Sequence, residues 1–461
     1  MKNKLILTCA LVAIAGTASL AAAAGFKINE QGAKAMGMAN AFAAQADDPT
    51  ALFYNPAGIA FLKGTQVSLG SLVIAVPQTE FTGTTPLTGN LPLNNGTSPI
   101  FEKAKRDLFI SPSLYATYSL ENIPLTFGLG VNSIYPLAKS WDNSSAFRNQ
   151  IENLAIKPIN FQPTVAYRFD DLNLSIAAGL DVTHAIVTLQ KAAYTNSINR
   201  TATNGPLAPF GAFELGDLGV DGTATDVGWN AGLLWKPRKD LSFGVAYRSE
   251  ITLHIKGDAN FLATSPAGLS AMGIDYTTIP NSALPFTRTR FTSTASTTIT
   301  LPDSLSLAVA WKPIEPLTLE FDAERTGWSS YNKLEIAFDA ASQLNAFNNN
   351  PSPKNWKDVW AYKVGGQYAY NKNIDLRAGY AYDTNPIPDS TLGPELPDSD
   401  RHNVSMGLGI HNDTVALDCA YMWVHWVDRT SNNQDNMTLT GQNGTFKSDA
   451  HLFGANITVK F

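Results

Sequence analysis

Apolar and polar residues alternate with a period of two along most of the chain, which is the pattern of β-strands. Residues 241–256 show it clearly, with an apolar face that runs from Leu241 to Ile255 and a polar face that runs from Ser242 to Lys256. Such runs reach about ten residues or more, whereas strands of soluble sheets usually have about five or six. Their length predicts tilted strands that cross a membrane.

Fifteen alternating runs can be distinguished along the chain. They lie near residues 65–80, 106–120, 124–137, 156–169, 172–190, 223–236, 241–257, 286–300, 304–313, 316–338, 356–371, 374–383, 402–411, 414–428 and 450–461. The break at 301–303 is the weakest, because it has no glycine and separates two segments of matching character. We merge the runs on its two sides, and the resulting 14 strands agree with the even strand number of bacterial single-chain barrels.

Short and long connections alternate between these strands. Short turns such as Asp170-Asp171 and His411-Asn412-Asp413 separate the long connections 81–105, 138–155, 191–222, 258–285, 339–355, 384–401 and 429–449. A soluble two-sheet protein has no reason to place every long loop at one end, whereas an outer-membrane barrel has short periplasmic turns and long extracellular loops. We therefore predict an all-β transmembrane barrel of 14 antiparallel strands with both termini in the periplasm.

The segment 25–64 departs from this alternation and favours short helices. Asp48-Pro49 and Asn55-Pro56 each place an N-cap residue before a proline at the first helical position, and Gly64 is suited to end a helix. A compact helical module ahead of a long β chain predicts a plug. We therefore divide the mature chain into an N-terminal helical hatch, residues 25–64, and an outer-membrane β-barrel, residues 65–461.

Residues 1–24 predict a secretory signal peptide. Lys2 and Lys4 form a basic start, residues 5–20 are apolar, and residues 21–24 offer small side chains for cleavage. We expect the mature protein to begin at Gly25 or one residue earlier. With the barrel pattern, the signal peptide predicts the outer membrane of a Gram-negative bacterium. The last strand ends on Phe461, which resembles the terminal assembly signal of such barrels, so we expect outer-membrane lipid and the barrel-assembly machinery as partners.

Composition narrows the class of protein further. Charged residues make up 16% of the chain, against about 25% in soluble domains, and the mean hydropathy is −0.08. The net charge of −6 gives no reason to expect nucleic acid as a partner. The six histidines show no metal-ligand spacing and no Gly-x-Ser-x-Gly occurs, so we predict no enzyme, no metal and no cofactor. A barrel hydrolase, with a Ser-His-acid site at the rim, and a general porin, with an open polar lumen, remain the alternatives.

Two predicted extracellular connections, 191–222 and 258–285, are unusually apolar for solvated loops. The side chains that we single out are Phe210, Phe213, Leu215, Phe261, Leu262, Leu269 and Met272. Because an exposed apolar surface usually marks a binding site, we predict that these residues bind a hydrophobic ligand. The alternative is that the two loops pack on each other and cover the mouth of the barrel.

The third strand, 124–137, contains Gly128, Gly130 and Pro136. Glycine weakens a strand and proline removes a ladder donor, so a lateral gap is expected in this part of the wall. The competing explanation is that the glycines make room for the hatch.

Several short motifs resemble those of FadL-type long-chain fatty acid transporters. In chain order they are Gly25-Phe26, Asp47-Asp48, Asn55-Pro56-Ala57, Gly228-Trp229-Asn230-Ala231-Gly232, Tyr247-Arg248-Ser249-Glu250, Trp328-Ser329, Lys357-Asp358, Pro386-Ile387-Pro388 and Pro397-Asp398-Ser399-Asp400-Arg401. The resemblance implies a 14-stranded barrel plugged by a helical hatch. It also implies uptake of hydrophobic molecules, chiefly long-chain fatty acids and in one branch aromatic hydrocarbons.

The resemblance also implies a route and a set of site residues. Ligand would rest in an apolar groove between extracellular loops, enter a pocket in the barrel, and leave sideways at the kinked third strand when the hatch moves. Phe26 would line the pocket, and Lys191 and Lys357 would bind the carboxylate unless they are solvated lysines of the rim. Asn55, Pro56 and Ala57 would belong to the gating hatch, and we expect a monomer.

Three acids on one face of a predicted strand, Glu320, Asp322 and Glu324, are expected to face the lumen and to serve the structure. Because acids in the lumen do not favour an anionic substrate, a neutral hydrocarbon remains an alternative ligand.

Overall fold

The chain forms a closed antiparallel β-barrel, for which the computed structural model describes residues 25–76, 78–86, 99–194, 214–264, 289–348, 351–435 and 440–461. In chain order the strands are β1 (Thr65–Val76), β2 (Glu80–Thr84), β3 (Ile100–Lys103), β4 (Asp107–Ser119), β5 (Leu125–Asn132), β6 (Leu137–Ser140), β7 (Asn153–Phe169), β8 (Leu174–Tyr194), β9 (Glu214–Arg238), β10 (Leu241–Arg248), β11 (Ile251–Ala263), β12 (Thr289–Leu301), β13 (Ser304–Ile314), β14 (Leu317–Thr326), β15 (Lys333–Leu334), β16 (Ile336–Phe338), β17 (Ser352–Pro353), β18 (Val359–Asn371), β19 (Ile374–Asp383), β20 (Arg401–His411), β21 (Val415–Trp426), β22 (Arg429–Asn432), β23 (Asn443–Lys447) and β24 (Asp449–Lys460). Short 3-10 turns lie at Asp170–Leu172, Trp328–Ser330, Gln343–Phe347 and Asp389–Thr391.

Eighteen of these strands form the barrel wall. Four wall positions consist of two successive segments each, namely β5 with β6, β10 with β11, β12 with β13, and β14 with β16, so the wall has 14 positions. β1 pairs with β24 and closes the barrel. The prediction of 14 antiparallel strands is therefore confirmed, including the merger across 301–303. On the side of the long connections, β2, β3, β22 and β23 form a separate four-stranded sheet, and β15 pairs with β17.

Side chains of the wall alternate between an apolar outer face and a polar lumen. In β19, Leu376 and Tyr380 are exposed, whereas Asp375 and Arg377 are buried. This arrangement is the reverse of a soluble β-sandwich, because the outer face of a membrane barrel meets lipid and its inner face meets polar groups. Glu320, Asp322 and Glu324 are buried on the luminal face, as their spacing predicts.

Two predicted strands prove to be interrupted. The predicted strand 316–338 stops at Thr326 and resumes at Ile336, with the 3-10 turn Trp328–Ser330 between them. The predicted strand 241–257 breaks after Arg248 and resumes at Ile251. Alternation missed both breaks, because the residues at each break continue a pattern that is also compatible with a strand: Trp328 in the first, and Ser249 and Glu250 in the second. β8 extends to Tyr194, and β9 begins at Glu214. The connection between them is therefore shorter than the predicted loop 191–222.

The hatch contains short helices at Ala33–Met36 and Ala51–Tyr54 and a 3-10 helix at Pro56–Phe61. None of the helices in the described part of the chain has the length and apolar character needed to span a bilayer. Asn55 caps the 3-10 helix, because its side chain accepts the Ala57 N–H at 3.2 Å, as its position before Pro56 predicts. Asp48 does not cap a helix at Pro49; it accepts the Thr50 N–H at 2.7 Å, and the helix begins at Ala51.

Candidate functional site

The hatch lies inside the barrel and contacts opposite sides of its wall. Helix Ala33–Met36 packs against β20, β21 and β24, and the 3-10 helix Pro56–Phe61 packs against β5, β7, β8 and β9. The fit is close where glycines meet: a Cβ added to Gly37 of the hatch would lie 2.9 Å from the Cα of Gly407 in β20. The hatch therefore occupies the cross-section of the lumen.

Two luminal carboxylates hold the hatch backbone against β14. Oδ2 of Asp322 accepts the N–H groups of Phe42 and Ala43, both at 3.1 Å. The two oxygens of Glu320 accept the N–H groups of Ala44 at 2.6 Å and Gln45 at 2.9 Å. Four consecutive donors of a segment without regular structure are satisfied in this way, which agrees with the structural role predicted for these acids.

Asn55 links the hatch to itself and to the wall. Its Nδ2 donates to the carbonyl of Ala43 at 2.7 Å and to that of Leu233 in β9 at 3.0 Å, while Oδ1 accepts from Ala57. Gly232 of β9 faces this amide, and a Cβ there would lie 2.4 Å from Asn55 Oδ1. The Asn-Pro-Ala segment is therefore fixed to the barrel by the buried amide of Asn55 and by the carbonyl of Ala57, which accepts the hydroxyl of Ser175 in β8 at 2.8 Å.

A charged layer lies between the hatch and the strands β9, β10, β13, β14 and β18. Glu324 pairs with both Lys27 and Lys363, and Arg248 pairs with Asp181. These groups lie around a polar cavity that Lys27, Arg248, Glu324 and Lys363 line directly.

An apolar cavity lies in the barrel beside Phe26, the second residue of the hatch. Its walls come from β6, β7, β8, β9, β11 and β12, and representative lining residues are Leu137, Leu154, Ile156, Val187, Leu189 and Ile299. The only charged side chains that line it in the described part of the chain are Lys354 and Glu395. Alternating residues of neighbouring strands thus form an apolar patch within an otherwise polar lumen.

Lys354 and Glu395 form an ion pair at the cavity wall. Their Nζ and Oε1 atoms are 2.6 Å apart, and the side chains are only 10% and 25% exposed. Burial acts to raise the pKa of Glu395, but the charge and hydrogen bond of Lys354, a backbone hydrogen bond and the charge of Lys191 together hold that pKa below its usual range. Burial likewise acts to lower the pKa of Lys354, and Glu395 holds it above its usual range. Both groups are therefore charged at neutral pH.

An aromatic cluster surrounds Phe26, which is 1% exposed. Its ring centroid is 4.7 Å from that of Trp328 and 5.9 Å from that of Trp356, and Tyr135 and Tyr331 contact its ring edge-on. The N–H of Gly25 donates to Oδ2 of Asp398 at 2.8 Å. The start of the hatch is thus held by rings from three loops and by one carboxylate.

The wall has a window beside this cluster. Pairing of β4 with β5 ends at Leu114 and Val131, and β6 pairs with β7 on its other side. The wall is joined again above this point, where the N–H of Lys105 donates to the carbonyl of Ser140 at 2.9 Å. Between these points, in the described residues, the edge of β4 pairs with β1 alone.

The hatch covers the inner side of the window. The N–H of Ile28 donates to the carbonyl of Ile134 at 2.8 Å, and Nε2 of Gln31 donates to that of Ser133 at 2.7 Å. The hydroxyl of Tyr135 donates to the carbonyl of Pro302 at 2.9 Å. The third wall position therefore turns inward after β5 and binds the hatch instead of β4.

The two glycines predicted to weaken the third strand lie below the window. A Cβ on Gly128 would be 2.5 Å from Leu52 of the hatch, and one on Gly130 would be 3.2 Å from the ring of Tyr115. Both residues lie in β5, where pairing with β4 and β7 is intact. Their positions favour the explanation that the glycines make room for neighbouring side chains, and the interruption itself begins after Asn132.

The predicted basic residues differ in their placement. Lys191 is half-buried on the same face of β8 as Val187 and Leu189, and Lys354 and Glu395 are its electrostatic neighbours. Lys357 is exposed and does not line the cavity. Lys354, which sequence reasoning missed, lies three residues earlier and faces inward. Lys354 and Trp356 are two positions apart ahead of β18 and are both buried, so the signal in the sequence was a lysine that shares a face with a tryptophan.

The predicted apolar loop residues are only partly described. Leu215 and Phe261 are buried in a cluster with Leu218, Phe291 and Leu344, and Leu262 is half-buried. Phe210, Phe213, Leu269 and Met272 lie outside the described residues. Leu215, Phe261 and Leu262 were predicted in loops but lie in the strands β9 and β11, which pair with each other, so the burial of Leu215 and Phe261 reflects packing between the ends of these strands. In the described ranges no group of three or more His, Cys, Asp or Glu side chains is arranged to hold a metal ion.

Comparison with known proteins identifies the family. Residues 14–461 match the family model of the outer membrane protein transport protein (OMPP1/FadL/TodX), and the chain belongs to this family. It is 29% identical to an outer membrane protein of Neisseria meningitidis serogroup B over 471 residues, which cover 98% of each chain. It is 25% identical to a long-chain fatty acid transport protein of Escherichia coli O6:H1 over 427 residues, or 90% of each chain.

A solved structure supports the same fold. A FadL homologue of Pseudomonas aeruginosa superposes with a TM-score of 0.79 at 24% identity and covers 95% of this chain and 100% of its own. The protein is thus an outer-membrane transport protein and not an enzyme. The predicted outer-membrane location and the resemblance to the FadL type are confirmed.

Proposed function

We propose that this member of the OMPP1/FadL/TodX family takes up long-chain fatty acids from the cell exterior. The observation that carries the proposal is the apolar cavity with a lysine at its wall. A mainly apolar lining with few polar groups is typical of small-molecule sites and suits an amphipathic chain. The relative from E. coli is named for the transport of this class of molecule.

Lys354 and Lys191 are the residues that we assign to the carboxylate. Lys354 lines the cavity, and Lys191 follows Val187 and Leu189 on the same luminal face of β8. The indole Nε1 of Trp356 is buried without a hydrogen-bond partner among the described residues, so it offers a further donor. Lys357, which the family resemblance suggests, lies outside this arrangement and is assigned no contact with ligand.

Charge and packing favour lateral release through the window over passage along the barrel axis. Continuing along the axis would bring the alkyl chain past the hatch and the charged layer of Lys27, Glu324 and Lys363. Transfer of each methylene out of apolar surroundings costs about 0.8 kcal/mol, so ten of them would cost about 8 kcal/mol. The window beside Tyr135 adjoins the cavity and faces the membrane, where that cost does not arise.

Gating in this proposal is a displacement of the first hatch residues. Phe26 fills the space between the cavity and the window, and the Ile28 N–H closes onto Ile134. Ligand that enters the space of Phe26 would release both contacts. Asn55, with Pro56 and Ala57, would keep the remainder of the hatch in place, so that ions do not follow the ligand.

Uptake of a neutral aromatic hydrocarbon is the second candidate. It is favoured by the aromatic cluster around Phe26 and by the fact that Glu395 already neutralises Lys354. A general porin would need an open lumen, which the packing of the hatch against opposite walls disfavours.

Direct binding distinguishes these candidates. Purified protein in detergent is titrated with oleate, methyl oleate and toluene, with Lys354→Met as the variant and Lys357→Ala as the matched control. We expect oleate to bind more tightly than its ester, and Lys354→Met to remove that difference. Preferential binding of toluene would favour the hydrocarbon, and large, unselective sugar conductance in planar bilayers would favour the porin.

A further inference from the structure

Glu395 is the only acid that lines the apolar cavity in the described part of the chain, and its position is unusual for a fatty acid site. It comes from the connection between β19 and β20, whereas Lys354 comes from the connection before β18. The cation that would receive a ligand carboxylate is thus already bound to a carboxylate of the protein, at 2.6 Å.

We infer that Glu395 determines ligand specificity, because a carboxylate ligand must take its place beside Lys354 whereas a neutral ligand need not. The inference rests on the proposed function, since it concerns the same cavity. It makes binding of a fatty acid an exchange of one carboxylate for another. A neutral molecule of the same length would enter without disturbing the ion pair.

The charges around the cavity support this exchange. Lys354 and Glu395 neutralise each other, and Lys191 supplies a further positive charge within their electrostatic range. No ion pair is seen for Lys191 among the described residues. One ligand carboxylate therefore balances the three groups, and after the exchange Glu395 retains Lys191 as a cation within range. A neutral ligand leaves one positive charge in apolar surroundings, which is unfavourable.

Glu395 is suited to leave Lys354 as well as to bind it. Its side chain is 25% exposed, compared with 10% for Lys354, so water reaches the acid more easily than the base. Lys354 is fixed by its backbone, because its N–H donates to the carbonyl of Asn332 at 2.7 Å and its carbonyl accepts the Thr391 hydroxyl at 2.6 Å. The backbone of Lys354 is therefore fixed beside the cavity, and the more exposed carboxylate is the partner that water can solvate when the pair separates.

The test compares oleate with methyl oleate, which differ only in charge at the headgroup. The variant is Glu395→Gln, and the matched control is Glu335→Gln, because Glu335 forms an exposed ion pair of the same length, 2.6 Å, with Lys333. Removal of the competing charge-assisted bond should raise oleate affinity about tenfold, while methyl oleate affinity stays within about twofold. Glu335→Gln should change neither affinity.

Two further variants keep the test decisive if Glu395→Gln loosens the loop. Glu395→Asp keeps the charge but shortens the reach to Lys354, so oleate affinity should rise by less than in Glu395→Gln. In a Lys354→Met background, Glu395→Gln should no longer raise oleate affinity. Equal changes for both ligands, or weaker oleate binding in Glu395→Gln, would overturn the specificity role. If the unaltered protein bound neither ligand, the proposed function itself would fail.

Discussion

Replacement of Asn55 by alanine should release the hatch without unfolding the barrel. The side chain of Asn55 is fully buried and makes three hydrogen bonds, to the carbonyls of Ala43 and Leu233 and from the N–H of Ala57. Alanine removes all three bonds, and the carbonyls of Ala43 and Leu233 and the N–H of Ala57 lose this partner in a place that water does not reach. The barrel ladder itself is unchanged, because β9 keeps its pairing with β8 and β10.

The size of the effect follows from these bonds. Loss of an N-cap costs about 1 kcal/mol, and loss of each buried hydrogen bond costs about 1 kcal/mol more. The hatch of Asn55→Ala should therefore be less firmly seated by about 3 kcal/mol, which raises the ratio of open to closed channels by about two orders of magnitude. The two acids that hold residues 42–45 act independently and remain in place.

Ion conductance in planar lipid bilayers measures this ratio, because a displaced hatch opens the lumen to ions. Gly232→Ala should produce the same openings by another cause, since its Cβ would lie 2.4 Å from Asn55 Oδ1. Gly366→Ala is the matched control, because its Cβ would lie 3.3 Å from a side-chain carbon of Leu319 and 3.8 Å from the carbonyl oxygen of Thr318, and so would meet no hatch atom at these distances. If Asn55→Ala and Gly232→Ala formed folded barrels with the open fraction of the unaltered protein, the assignment of Asn55 as the anchor would be refuted.

Three further predictions concern the cavity and the window. Phe26→Ala should weaken oleate binding by about tenfold, because a buried aromatic side chain contributes about 1.5 kcal/mol or more, and equilibrium titration measures the change. A variant with Ile28→Cys and Ile134→Cys, in which Cys419 is replaced, can form a disulfide between the hatch and the wall. This disulfide should block oleate uptake into liposomes until a reductant is added. Uptake that proceeds unchanged in the oxidised protein would argue against release at the window. Lys354→Met should weaken oleate binding by about tenfold, whereas Lys357→Ala should alter it by less than about twofold, as titration with oleate will show.

The number of wall positions could be derived from the sequence, because each strand of a membrane barrel has one face toward lipid and one toward the lumen and therefore alternates between apolar and polar residues. Leu376 and Tyr380 face lipid while Asp375 and Arg377 face the lumen. Residues on the same face are an even number of positions apart, and residues on opposite faces are an odd number apart. The turn chemistry at Asn55-Pro56 was equally local, because a cap and its helix are adjacent in the chain. The alternation of short and long connections then predicted that neighbouring strands are antiparallel and form a closed wall.

The binding groups could not be derived in the same way, because they are joined only by tertiary structure. Lys354 and Glu395 are separated by 41 residues and meet because two connections converge at one end of the barrel. Phe26 and Trp328 are further apart still, and Trp328 lies in an interruption that alternation reads as strand. The family resemblance pointed to Lys357, whereas the inward turn of the chain before β18 brings Lys354 to the cavity.

Sequence alone therefore determined the barrel, its 14 strands and the helical character of the segment that precedes it, since each depends on neighbours in the chain. Tertiary structure decided which luminal residues form a cavity, which lysine is paired, and where the wall is interrupted. The physical reason is that alternation reports the face of a strand on which a side chain lies, but not its depth along the barrel or its partner across the lumen.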